Sequence, residues 1–190
     1  SATLGTDRTI HYAALSTTVP PNLTNSMRYR NVCLEALGYC LPDEAVSSEA
    51  LEACLEPAYT RLRLPEGRLE LMTGIVERRF FSPGARLGAI AAESGNQALA
   101  ASQLDRREIG ALAYGSVCRD FLEPATACRV HHLLGLSPQC MIYDVSNACL
   151  GVLNGMVQIA NMIELGQIRV GLVVGTESGR HLVEHTMCTL

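Results

Sequence analysis

Three short runs of almost unbroken apolar residues, at 111–117, 140–145 and 170–175, constrain this chain more than any other feature. Each is short, bounded by turn-forming residues and free of internal charge apart from Asp144, as strands buried inside a sheet are. Segments of helical length alternate with them. Residues 86–103 are alanine-rich; residues 125–134 have Pro124 at their head and Gly135 at their stop; residues 149–165 end at Gly166. From residue 84 the order is therefore helix, strand, helix, strand, helix, strand. That order predicts a parallel sheet with helices on both faces.

Side chains that act on substrates in such sheets gather beyond the carboxyl ends of the strands. Three clusters fall there: Cys118-Arg119-Asp120 through Glu123, then Cys149, then Thr176-Glu177-Ser178. Cys149 is the sharpest of them. Strand 140–145 passes through Ser146 and Asn147 into a helix that begins at about Cys149. The first turn of a helix leaves backbone N–H groups without partners and is the positive end of its dipole. Both effects favour thiolate over thiol, and the same amides can hold an oxyanion on an attacked carbonyl. The bland alternative is a small core cysteine. Helix 149–165 carries Leu150, Val152, Leu153, Met156, Val157, Ile159, Met162 and Ile163 almost all the way round, which reads as a helix buried on every side. Gly151 and Gly155, four apart, are expected to let a second helix approach it closely.

The rest of the chain says less. Residues 9–15 form a candidate first strand followed by loop at 17–21; residues 27–37 form a candidate short helix within a connector; Ser47 caps a helix running through Leu55. Residues 73–81 read as extended. With 190 residues the chain is long enough for one cored domain or one half of a larger one. A net charge of −4 with no basic run argues against nucleic acid, and no apolar stretch is long enough for a membrane span. The eight cysteines include no CxxC pair and no Cys/His set with zinc spacing, so a reduced, cytoplasmic protein without a metal is expected.

The motif Asp144-Val145-Ser146-Asn147-Ala148-Cys149-Leu150-Gly151, together with Val173-Val174-Gly175-Thr176-Glu177, resembles the thiolase superfamily. Within it the pattern is similar to condensing enzymes of the 3-oxoacyl-(acyl carrier protein) synthase III type, and Thr73-Gly74-Ile75 with Glu77-Arg78-Arg79 resembles that group's early motif. The stretch from Ser116 to Ala127 resembles the branch that joins two long-chain acyl-coenzyme A molecules head to head. This resemblance implies an α/β thiolase-like layered fold, with a parallel-rich sheet and helices on both faces around a buried central helix. It implies that residues 1–190 are the N-terminal half, carrying the nucleophile, with the C-terminal half and its His and Asn absent.

By the same resemblance, Cys149 and Glu123 are the catalytic residues: Cys149 takes the acyl group, and Glu123 is a base that reaches across a homodimer. The implied substrate is acyl-coenzyme A or acyl carrier protein, the product a 2-alkyl-3-oxo acyl compound, and no cofactor is called for beyond the coenzyme A thioester itself. A malonyl-using synthase III is the nearest alternative, in which decarboxylation makes the carbanion and no base at Glu123 is needed. A non-catalytic half that assembles with a separate second half is another. A cysteine hydrolase pairing Cys149 with His181 or His185 is the last; His131 and His132, inside the helix before the Cys149 strand, are poor partners.

Overall fold

A computed structural model describes residues 27–180 and residue 183. The expected first strand at 9–15, the loop at 17–21, His181, His185 and Cys188 lie outside the described residues. A small lobe comes first. Strand β1 (Glu44–Ser47) pairs antiparallel with β2 (Glu77–Phe80), and three short helices lie between them: α1 (Ser48–Cys54), α2 (Glu56–Leu62) and α3 (Arg68–Thr73). The Ser47 hydroxyl caps α1 by accepting from the Ala50 amide at 3.0 Å. Glu52 ties the lobe together, its carboxylate accepting from the Gly67 and Leu69 amides and from the Tyr59 hydroxyl. The Leu69 amide is the main reason the Glu52 carboxyl sits below its ordinary pKa.

The main body is the alternating unit. It runs α4 (Leu87–Ser102), β3 (Ile109–Gly115), α5 (Thr126–Leu134), β4 (Met141–Val145), α6 (Gly151–Glu164) and β5 (Val170–Val174). The three strands make a parallel sheet in the order β4-β3-β5, as the sequence predicts. Alternation along β3 sorts the layers. Leu112 and Tyr114 point into a core built with α4 and α5, while Ala111 and Ala113 point to the opposite face, under α6. The α6 face of β3 is thus all small, and that is what lets a helix lie close on it.

Gly151, Gly155 and Ile159 form the seat of α6, one residue per turn along one stripe. A Cβ at Gly151 would stand 3.0 Å from the Gly115 carbonyl carbon and 3.1 Å from the Ser116 nitrogen; one at Gly155 would stand 3.0 Å from Val173 Cγ1. The expectation that these two glycines admit another helix is corrected here: they face the sheet. The expectation of a helix buried on every side is corrected too. Only Gly151, Gly155, Ile159 and Ala160 are buried, and Leu153 is 56% exposed. Among the described residues the sheet covers one face of α6 and residues 29–31 touch its end, so much of its outer apolar stripe is left exposed. That stripe shares a cavity of about 1,090 Å³ with residues 29–42 and β5.

Residues 27–37 are not helical. They run irregularly beside the end of α6, where the Tyr29 hydroxyl donates to Asn161 Oδ1 at 2.9 Å and the Asn31 amide to Glu164 Oε2 at 2.9 Å. Bonds to another element replace those a helix would have made internally. Residues 73–81 are extended only from Glu77, because Thr73 closes α3 and Gly74 turns the chain with φ 67°.

Replacing Gly155 with leucine forces a side chain against Val173 and Ala113. Stability should fall by about 1–3 kcal/mol or more. A thermal midpoint unchanged by that substitution contradicts the seat described here.

Candidate active site

At the carboxyl end of β4 the chain leaves the sheet at Val145 and turns sharply. Ala148 adopts φ 44°, a left-handed conformation that is unfavourable for an L-residue bearing a Cβ. Cys149 follows within a 3₁₀ turn, Ala148–Leu150, that leads directly into α6. The elbow lifts the thiol clear of the sheet: Cys149 is exposed, whereas Cys140 at the other end of β4 is buried. The Leu150 amide donates to the Asn147 carbonyl at 2.9 Å, while the Cys149 amide finds no acceptor among the described residues. Asn147 Nδ2 in turn donates to Asn154 Oδ1, bracing the elbow against the first turn of α6.

Beside it, at the end of β3, residues 116–125 form a loop held by three carboxylates. Glu177, just past β5, accepts from the Val117 amide at 2.8 Å, the Cys118 amide at 3.3 Å and the Ser116 hydroxyl at 3.1 Å. Asp120 reaches the other way and accepts from the Leu87 and Gly88 amides at 2.8 and 2.9 Å, with Arg129 at 3.8 Å. Asp144 on β4 accepts from the Thr126 and Ala127 amides, both at 2.9 Å, with Arg119 at 3.9 Å. Neither α4 nor α5 has a side-chain cap of its own, since Arg86 and Ala125 occupy those positions. Asp120 and Asp144 fill that role from a distance, satisfying orphan amides and the positive helix ends together.

The aromatic centre of this edge is Tyr114. It is fully buried and donates its hydroxyl to the Cys118 carbonyl at 2.8 Å. Burial pushes its pKa up to about 12, helped by the nearby Asp120, Glu177 and Asp144 carboxylates, so it remains a neutral donor. Burial also raises the Cys118 and Cys140 thiols. Neither is therefore a competitive nucleophile at neutral pH.

The structure brings the three expected clusters to one edge of the sheet. Glu123 stands exposed on the loop, and no hydrogen bond or ion pair joins it to Cys149 or to any other described residue. His131 and His132 occupy the last turn of α5, which leads to the start of β4, the opposite end of the strand from Cys149. His131 accordingly bonds the Ser137 carbonyl at 2.9 Å instead. The anchoring by Asp120, Asp144 and Glu177 escapes a reading of the sequence, although the missing local caps at Arg86 and Ala125 are its signal. Among the described residues no cluster of His, Cys, Asp or Glu could hold a metal, and no helix is long and apolar enough to cross a membrane.

Comparison with known proteins gives the same family from three directions. Residues 71–187 match the thiolase N-terminal domain. The acyl-CoA:acyl-CoA alkyltransferase of Shewanella oneidensis is 48% identical over 161 residues, 85% of this chain and 46% of that protein. The beta-ketoacyl-[acyl-carrier-protein] synthase III of Koribacter versatilis is 31% identical over 157 residues, 83% of this chain and 45% of that protein. Among solved structures, Xanthomonas campestris OleA bound to cerulenin superposes with a TM-score of 0.79 at 34% identity, covering 84% of this chain and 46% of its own. The chain thus spans about half the length of the relatives it matches.

Limited alkylation of the native protein with iodoacetamide, followed by peptide mapping, should modify Cys149 and spare Cys118 and Cys140. Labelling of Cys140 as fast as Cys149 contradicts this placement of the thiols.

Proposed function

The chain belongs to the thiolase family through its N-terminal domain, and from that premise we propose that it carries the nucleophilic half of an enzyme condensing two acyl-coenzyme A molecules. One observation carries the reading: an exposed thiol on a left-handed elbow at the head of α6, on the same edge of the sheet as the loop that carries the exposed Glu123.

In this reading the Cys149 thiolate attacks the carbonyl carbon of a fatty acyl thioester. A carbon–sulfur bond to the enzyme forms, the bond to coenzyme A breaks, and coenzyme A leaves as its thiolate to be protonated. The amides at the start of α6 stabilise the oxyanion on the way. A second acyl-coenzyme A then gives up a proton from its α carbon to Glu123, contributed by this chain or by a second copy across a dimer. The resulting carbanion attacks the acyl-cysteine, the new carbon–carbon bond forms, the carbon–sulfur bond to Cys149 breaks, and the thiolate is restored. The product is a 2-alkyl-3-oxo acyl-coenzyme A, and Glu123 returns its proton to solvent. The second α/β half that this chemistry needs comes from a longer chain or a companion polypeptide. Acyl-coenzyme A and free thiols suit the cytoplasm.

The relatives support the finer reading over a malonyl-using synthase. The glutamate and the cysteine exchanged in crystallised variants of Xanthomonas campestris OleA are separated along their chain by as many residues as Glu123 and Cys149 are here. A cysteine-to-serine form of that protein holds lauric acid and lauroyl-CoA. A malonyl donor makes its carbanion by losing carbon dioxide, which leaves Glu123 no task.

The test is an assay of the native protein with long-chain acyl-coenzyme A and no malonyl donor. Coenzyme A release and a 2-alkyl-3-oxo product are expected. Glu123→Gln should lower carbon–carbon bond formation by about 100-fold or more while acyl transfer to Cys149 persists, in line with the usual contribution of a positioned general base. Product formed only when a malonyl thioester is added overturns the proposal in favour of decarboxylative condensation.

A further inference from the structure

The loop that carries Glu123 has no secondary structure of its own, yet every anchor it needs is present except at its tip. Between Asp120 and Thr126, Phe121, Leu122 and Glu123 stand out from the surface, Leu122 at 89% exposure. A general base acts only if held within a few tenths of an ångström of its productive position, so something must fix the direction in which this loop leaves the sheet. Asp120 pins the middle of the loop, Arg119 lies 3.9 Å from Asp144, and the Tyr114 hydroxyl donates to the Cys118 carbonyl at 2.8 Å. Glu177 adds the anchor at the two amides that open the loop. Its carboxylate chelates the Val117 and Cys118 amides at 2.8 and 3.3 Å and receives the Ser116 hydroxyl at 3.1 Å. Ser116 itself is buried, and its single hydroxyl hydrogen is shared between Glu177 and, more closely, the Thr176 carbonyl at 2.6 Å, which ties the end of β3 to the residue preceding Glu177.

The three carboxylates differ in what else they do. Asp120 and Asp144 also cap α4 and α5, so their loss disturbs the fold. The Glu177 side chain is exposed, and among the described residues its carboxylate bonds only to residues 116–118. Its contribution to overall stability is therefore small, and its effect is local.

We infer that Glu177 is a positioning residue for the condensation step: by chelating the Val117 and Cys118 amides, it sets the direction in which the loop presents Glu123. This rests on Glu123 being the base. Glu177 takes no part in the first half-reaction, because neither Cys149 nor its elbow bonds to it.

The experiment separates the two half-reactions in the native protein. Acylation of Cys149 is read by single-turnover release of coenzyme A. Proton removal is read by solvent deuterium entering the α carbon of acyl-coenzyme A, and condensation by product. In Glu177→Gln, an amide nitrogen replaces one acceptor oxygen and faces the donors of the loop. Deuterium entry and condensation should fall together by about tenfold to 100-fold, the scale of a small misplacement of a reacting group. Acylation should keep its wild-type rate, and the KM for acyl-coenzyme A should not change. If Glu177→Gln does not accumulate as folded protein, Glu177→Asp, which keeps the charge and shortens the reach to the two amides, is read on the same ratio of rates. Equal losses in acylation and condensation, or no loss in either, overturn the inference. Glu123→Gln is run alongside as the reference. Condensation retained in Glu123→Gln overturns instead the reading of Glu123 as the base.

Discussion

Everything at the active edge depends on how closely α6 lies on β3. The contact is backbone on backbone: Gly115 closes β3, Gly151 opens α6, and neither has room for a side chain. Because the helix begins pressed against the end of the central strand, the chain arriving from β4 must turn within a few residues. Ala148 pays the conformational cost with its left-handed φ. Cys149 is thereby lifted to the rim of the sheet, beside the loop that leaves β3. A bulkier residue at either glycine would push the helix out and take the thiol with it.

A second constraint acts on the same edge. Two helices begin there without side-chain caps of their own, and a loop of ten residues starts there without regular secondary structure. Buried amides left without acceptors would be costly. Asp120, Asp144 and Glu177 meet that demand, and in doing so they join three strand ends, two helix starts and one loop. Tyr114, buried and neutral, fills the space between them. The result is an anchored rim that also carries an exposed thiol and an exposed carboxylate.

Much of this was legible in the residues. The alternation of apolar runs and helical segments gave the parallel sheet because both signals are local. Strand 140–145, the Ser146-Asn147 turn and the helix from Cys149 appear within a few residues of the expected positions for the same reason. What escaped was what depends on distant partners. Residues 27–37 are a candidate short helix, but Tyr29 and Asn31 bond instead to Asn161 and Glu164 on α6. The apolar circumference of α6 suggests burial on all sides, yet burial needs a covering layer, and among the described residues the sheet covers only one face. Gly151 and Gly155 are expected to meet a second helix and instead meet the sheet, since spacing gives a face but not what lies against it. The carboxylate anchors were invisible because each joins residues 17 to 61 positions apart.

The central claim is that the sulfur of Cys149 is where the acyl group is held. Intact-mass measurement of the native protein after brief exposure to a single long-chain acyl-coenzyme A tests it most directly, with peptide mapping of any adduct. The account predicts a mass increase of one acyl group, confined to the peptide containing Cys149 and lost on treatment with neutral hydroxylamine, as a thioester is. An acyl group found on another residue, or no adduct while coenzyme A is still released, contradicts it.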